Sequence, residues 1–225
     1  MKKFITKAIA LAVLLVGGAG AFAQSDGTGD YMGDIQLVLG HETQHVSVDN
    51  GYFRWKSKNF DIGLKSFNEF KLFSFMGVGF LAGCDLTLGR SIDADNERAN
   101  DGFDFLIGFD TFIGPAVTFK LADVVAVQGA VGFAWHYMGM FGDMDVVGIG
   151  KKTVDYNLYE KSMGFGFDLQ GKLFPGAPLS AVLGMKGIFT GDEKYRISID
   201  GDSDTIDDDI DLSCIRFYAG ASLNL

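Results

Sequence analysis

Proline, histidine and cysteine are all scarce: the 225 residues contain three, three and two of them. So little proline leaves long stretches free to pair as strands, because few ladder positions lack an N–H. Two cysteines cannot build a disulfide framework or a zinc knuckle. Positive charge is also short, with 19 Lys and Arg against 29 Asp and Glu for a formal charge of −10. That balance argues against nucleic acid and against anionic membrane surfaces as partners. After the first 23 residues no segment is long and apolar enough to be a membrane helix. Yet the mean hydropathy is +0.17, high for a chain of this acidity. Hydrophobicity without a helical span is what membrane-crossing strands produce, since only alternate residues face lipid.

The N-terminus has a charged start, Met1-Lys2-Lys3-Phe4-Ile5-Thr6-Lys7, then only apolar residues and glycine from Ala8 to Ala23. It closes Ala21-Phe22-Ala23 before Gln24, the small-x-small pattern cut by signal peptidase. Residues 1–23 therefore read as a cleaved secretory signal and 24–225 as the mature domain. Losing Lys2, Lys3 and Lys7 takes the formal charge to −13. Leu81-Ala82-Gly83-Cys84 matches a lipobox but lies deep in the chain, where lipoprotein processing does not read it.

Period two dominates the mature domain. From Val124 to Phe141, odd positions carry Val125, Val127, Val131, Phe133, Trp135 and Tyr137, while even positions carry Ala126, Gln128, Ala130 and His136. Similar alternation runs through Phe103–Ile113, Tyr159–Leu173, Leu179–Thr190 and Ile215–Leu225. Tyr31–Leu39, Asn59–Phe67 and Phe70–Leu88 are noisier. That makes eight strands. Short turns fall near Asn68-Glu69, Leu121–Asp123 and Pro175–Pro178, and longer polar loops near 42–57, 91–101, 142–155 and 191–212. Asp49-Asn50-Gly51 reads as a type I′ hairpin, and Gly201–Asp204 divides a second one. The apolar phase moves from even (Ile210, Leu212) to odd (Ile215), which suggests a bulge.

Large aliphatic and aromatic residues gather on one face, and Gly, Asp, Lys, Gln and Ser on the other. A soluble barrel would have to pack most of its 21 phenylalanines inside behind a wall of small residues. Lipid outside and a polar lumen suits both faces. Trp55, Trp135, Tyr137, Tyr156 and Tyr159 near the loops, and Phe67, Phe70, Phe119 and Phe174 near the turns, form the expected interfacial girdles. The fold class is thus all-β, a single eight-stranded antiparallel transmembrane barrel with short periplasmic turns and four longer external loops.

In architecture the chain resembles the small eight-stranded outer-membrane proteins of the OmpA-transmembrane, OmpX and OmpW kinds. It departs from them at the end, Ser222-Leu223-Asn224-Leu225, where those proteins place an aromatic residue that the barrel-assembly machinery reads. The resemblance implies a non-enzymatic outer-membrane barrel in contact with lipid and surface glycolipid, whose loops meet an extracellular or host partner. Its OmpW side implies instead a narrow channel for small or hydrophobic solutes. A secreted lipocalin-like binder is the third reading.

Candidate chemistry is sparse. Parity places Asp61, Asp104, Asp110, Asp168, Lys186 and Arg216 in the lumen with Gln128 and His136. Asp168, Lys186 and Arg216 fall at one height on consecutive strands. Buried charges must be paired, so a structural salt-bridge network is favoured over a gate. His136 is the only histidine assigned to a strand, and no serine partner for catalysis is visible. His41-Glu42-Thr43-Gln44-His45 matches a zinc-protease motif, but outside a helix its histidines lie too far apart. Asp200, Asp202, Asp204 and Asp211 have EF-hand-like spacing without its glycine or terminal Glu; weak Ca²⁺ or Mg²⁺ binding is the alternative to a solvated acidic hairpin. No other cofactor is indicated. Cys84 faces lipid and Cys214 the lumen, so they stay unpaired.

Overall fold

The computed structural model describes residues 31–48, 51–95, 103–148 and 150–225. The signal-type segment 1–23, the turn residues Asp49 and Asn50, and residues 96–101 of the 91–101 connection lie outside these. Eight strands run β1 (Tyr31–Val48), β2 (Phe53–Phe73), β3 (Met76–Ala94), β4 (Phe105–Ala122), β5 (Val125–Gly148), β6 (Gly150–Leu173), β7 (Leu179–Ile199) and β8 (Asp202–Asn224). They close one barrel in sequence order, with β8 returning antiparallel to β1. The antiparallel eight-stranded reading holds.

The strands are 18 to 24 residues long, twice the roughly 9–11 that a tilted strand needs to cross a bilayer. The lipid-facing parts match that need: Met163 to Leu173, Leu179 to Phe189 and Ile215 to Leu225 each point exposed apolar residues outward at every second position or nearly so. The remainder continues as paired ribbon at one end. The segments expected as loops at 42–57, 142–155 and 191–212 are therefore mostly strand, because their polar alternation satisfies the backbone in ladders above the membrane. At the tip of the β7–β8 ribbon the turn is Asp200-Gly201, both at positive φ (51° and 92°), one to two residues earlier than the expected break. At the other end connections are short: Ser74-Phe75, Asp123-Val124 and 174–178. The first of these corrects the turn expected at Asn68-Glu69. Asn68 pairs with Phe80, and Glu69 points inward to accept a hydrogen bond from Thr118. The true turn lies inside the Phe70–Leu88 stretch, which is why its alternation reads as noise.

Inside, the barrel is layered. At the ribbon end Val46, Trp55, Ile92, Phe103, Leu106, Met138, Met140, Leu158, Ile210 and Leu212 form a buried apolar layer. Trp55 and Tyr156 belong with this layer, and Phe67 with a second internal cluster alongside Phe112 and Ile188. None of the three is in a girdle, because their inward parity outweighs their height. Trp135, Phe70, Phe119 and Phe174 do face outward and exposed.

The phase change at Ile210–Ile215 has the same origin. The β8 register is unbroken across it, and Ile210 and Leu212 simply face the apolar layer while Ile215 faces lipid. The slip lies higher, where β7 carries an extra residue against β6 between Gly191 and Arg196, β8 carries one against β7 at Asp208-Asp209, and Tyr195 faces the interior.

Gly114 and Gly132 let β4 and β5 approach closely beside Pro115. A Cβ on Gly114 would collide with the Val131 carbonyl oxygen, and one on Gly132 with that of Ile113. Gly132→Ala should therefore cost about 1–3 kcal/mol as overpacking, seen as a lower midpoint when folded, fast-migrating protein is heated in detergent. An unchanged midpoint would mean that the two strands have slack there.

Candidate functional site

Strand register brings charges together in the lumen before any side chain is considered. Asp168 stands opposite Lys186, and Lys186 opposite Arg216, on β6, β7 and β8. Asp110 stands opposite both Asp85 on β3 and His136 on β5. Two carboxylates directly opposed across a ladder repel, so a cation must intervene. Arg216 supplies it. Its Nη1 lies 2.7 Å from Asp85, and its Nη2 lies 2.6 Å from Glu42, 2.9 Å from Asp110 and 3.0 Å from Asp61. The guanidinium is 1% exposed. Its planar array of donors can serve several acceptors at once.

Two lysines reach across the lumen to complete the middle layer. Lys186 meets Asp85 at 2.5 Å, and Lys65 meets Asp168 at 2.5 Å while lying 3.4 Å from the Tyr218 ring centroid. Tyr218 donates to Asp168 at 2.5 Å. Nearer the short turns Lys172 pairs with Asp34, and Gln170 donates to Gln128 at 2.6 Å. His136 is bonded to Asp110 through Nδ1 and lies 3.9 Å from Glu160 through Nε2.

Of the residues placed in the lumen by parity, Asp61, Asp110, Asp168, Lys186, Arg216, His136 and Gln128 are buried there. Asp104 is not: it precedes β4 and is exposed, because its even parity holds only once the strand has begun. Parity reasoning did not carry Asp34, Glu42, Lys65, Glu69, Asp85, Glu160 and Lys172 into the set. The signal was present for most of them, since each shares the inward phase of its strand. Glu42 was hidden by its place in a motif, and Asp85 and Lys65 by noisy segments.

The proposed ion ligands Asp200, Asp202, Asp204 and Asp211 do not converge. Asp204 and Asp211 lie on one extended strand seven residues apart, roughly 23 Å at the usual rise, and all four are exposed. The loop that would have folded them round an ion is a β-ribbon. Among the described residues Glu42, Asp110 and Cys214 place ligand atoms within 4.8 Å of one another, but Arg216 already donates to both carboxylates. His41 and His45 lie on β1, a strand after all, on one exposed outward face; about 13 Å apart, they cannot share a metal. His136 does have a serine opposite it, Ser162 on β6. Both His136 Nε2 and Ser162 Oγ are without a hydrogen-bond partner among the described residues, so the two are not engaged with each other. Cys84 is outward in phase, Cys214 is inside, and both are free.

No family model matches this sequence, and no curated protein does. Solved structures do match. A major outer membrane protein from Thermus thermophilus aligns over 86% of this chain and 99% of its own, at 9% identity and a TM-score of 0.51. OprG from Pseudomonas aeruginosa aligns over 87% and 96%, at 9% identity and 0.49, and Neisserial surface protein A over 88% and 99%, at 12% identity and 0.47. The likeness is one of fold: the chain has the architecture of the outer-membrane β-barrels.

Arg216→Met should leave Glu42 and Asp61 without a cation, with Asp85 held by Lys186 and Asp110 by His136 alone, and cost about 3–5 kcal/mol, enough to abolish heat-resistant folding in detergent. Adding Asp85→Asn and Asp110→Asn should recover part of that loss. Full stability of Arg216→Met alone would show that the lumen charges are neutralised by some other route.

Proposed function

We propose that the mature chain is a non-enzymatic integral protein of the outer membrane, whose sealed barrel anchors long β-ribbons outside the cell for contact with an extracellular or host partner. The observation that carries this reading is the closed lumen: an apolar layer at the ribbon end lies over a charge network centred on a fully buried Arg216. Eight strands enclose just enough room for such side chains. The apolar belt contacts membrane lipid, and surface glycolipid surrounds the ribbons where they emerge. Export uses the segment 1–23, and the barrel-assembly machinery inserts the barrel that β8 closes against β1, with Leu223 and Leu225 outward.

A narrow channel is the second reading. It has one feature in its favour, a cavity of about 200 Å³ at the short-turn end, lined by Asp34, Glu69, Gln128 and Lys172 among others. Above that vestibule Lys65, Asp168 and Tyr218 close the way.

Protein in planar bilayers should give no discrete current steps at physiological salt. Steps of constant size, reproducible in protein that shows the heat-shifted gel migration of a folded barrel, would replace the sealed anchor with the channel. Thinning the apolar layer in Met138→Ala/Leu212→Ala should still leave the current silent, because the Arg216 layer lies beneath.

A further inference from the structure

The barrel wall is interrupted at one height. β6 and β7 pair through Tyr159 and Arg196, then resume only at Met163 and Gly191, leaving Glu160, Lys161 and Ser162 without partners on β7. A pocket of about 550 Å³ opens at this break, lined by Tyr137, Tyr159, Lys161 and Arg196, and with Glu160 among its lining residues. Lys161 and Arg196 are exposed, whereas Glu160 is 2% exposed. Neither Glu160 carboxylate oxygen meets a donor in full bonding geometry among the described residues; the Ser162 hydroxyl and His136 Nε2, the latter 3.9 Å away, are its internal neighbours and are equally unsatisfied. The four lysines and arginines of the lumen serve other acids. A buried carboxylate left in this state is costly unless a donor reaches it. The site thus has Lys161 and Arg196 at its mouth, with Lys194 and the carboxylate of Asp192 also in the lining, and an acceptor-only group within.

Its height on the barrel narrows the occupant. Met163 and Phe165 on β6 and Trp135 on β5 face outward directly below the break and are 49–66% exposed. Tyr137 and Tyr159 flank it at the level where aromatic rings mark a membrane interface. A group entering sideways here comes from the zone of head groups. Two cations suit a phosphate, and the carboxylate beneath suits a primary ammonium, which offers three donors and no acceptor.

We propose that this lateral pocket binds a phosphoethanolamine group, with its phosphate on Lys161 and Arg196 and its ammonium on Glu160. A lipid-borne source for that group rests on the outer-membrane placement proposed above; binding of the soluble group does not.

The test uses protein purified in detergent, with the fluorescence of Trp135, whose strand partner is Met163 at the break, as the readout. Titration with glycerophosphoethanolamine should saturate, and glycerophosphate and ethanolamine alone should each bind about tenfold more weakly, as expected for loss of one charge-assisted contact. Glu160→Gln, close in shape to the original, should abolish the preference for the amine while leaving glycerophosphate binding unchanged. Lys161→Gln/Arg196→Gln, on the exposed surface, should weaken both phosphate ligands to a similar degree. Heat-shifted gel migration verifies folding of each variant. Nanodiscs of phosphatidylethanolamine against phosphatidylcholine then separate the sources: an effect of the lipid assigns a membrane ligand, and a response to the soluble ligand alone keeps the site and assigns a solute. No saturable response, equal affinity for glycerophosphate and glycerophosphoethanolamine, or a Glu160→Gln protein that keeps the amine preference would overturn the proposal. None of these results depends on whether the lumen conducts.

Discussion

The neutralisation of opposed carboxylates by Arg216 is the interaction on which the rest of this barrel depends. Apolar side chains must face outward where the wall meets lipid, so every polar side chain in that zone turns into a space without bulk water. Asp85 and Asp110 then meet across one ladder, with Asp61 and Glu42 close by. A single guanidinium reaches all four from β8, the strand that closes the ring against β1. The closing strand thus carries the cation that the interior carboxylates share. Lys65 and Lys186, extending from opposite sides, tie the same layer to Asp168 and Asp85.

Above this layer the logic inverts. Beyond the membrane the outer surface of the ribbons meets water, so inward positions can carry apolar groups and build an ordinary hydrophobic core. Trp55, Met138, Leu158 and Leu212 do this, with Trp55 and Phe103 in edge-to-face contact at 5.6 Å. The two regimes explain why one strand can read polar-in at Arg216 and apolar-in at Leu212 without slipping register. They also explain the form of the molecule: a barrel filled by paired charges, from which the strands project beyond as ribbons. The break between β6 and β7 falls where the regimes meet, so the wall opens at the level of the membrane interface.

Much of this was legible in the residues. Strict alternation along Val124–Phe141, Leu179–Thr190 and Ile215–Leu225 required strands with two unlike faces, and the excess of phenylalanine on one of them required lipid. Parity and strand order together were enough to level Asp168 with Lys186 and Arg216, which the register confirms. Where a turn lay inside a run of mixed residues, as at Ser74-Phe75, alternation lost its phase and Asp85 was left out of the lumen set. Glu42, read as part of a motif in a loop, is an inward carboxylate on β1.

By itself the sequence determined the strand count, the lipid-facing side and the unpaired state of its two cysteines, because each of these follows from the two-residue period of an extended chain. Only the tertiary structure decided which charges meet, that Trp55 and Phe67 fill the lumen rather than ring the membrane, and that Glu160 lies within a gap in the wall. Those facts depend on the closure and stagger of eight strands, which bring residues more than a hundred positions apart, such as Lys65 and Asp168, into contact. Periodicity along one strand carries no information about the far side of the barrel.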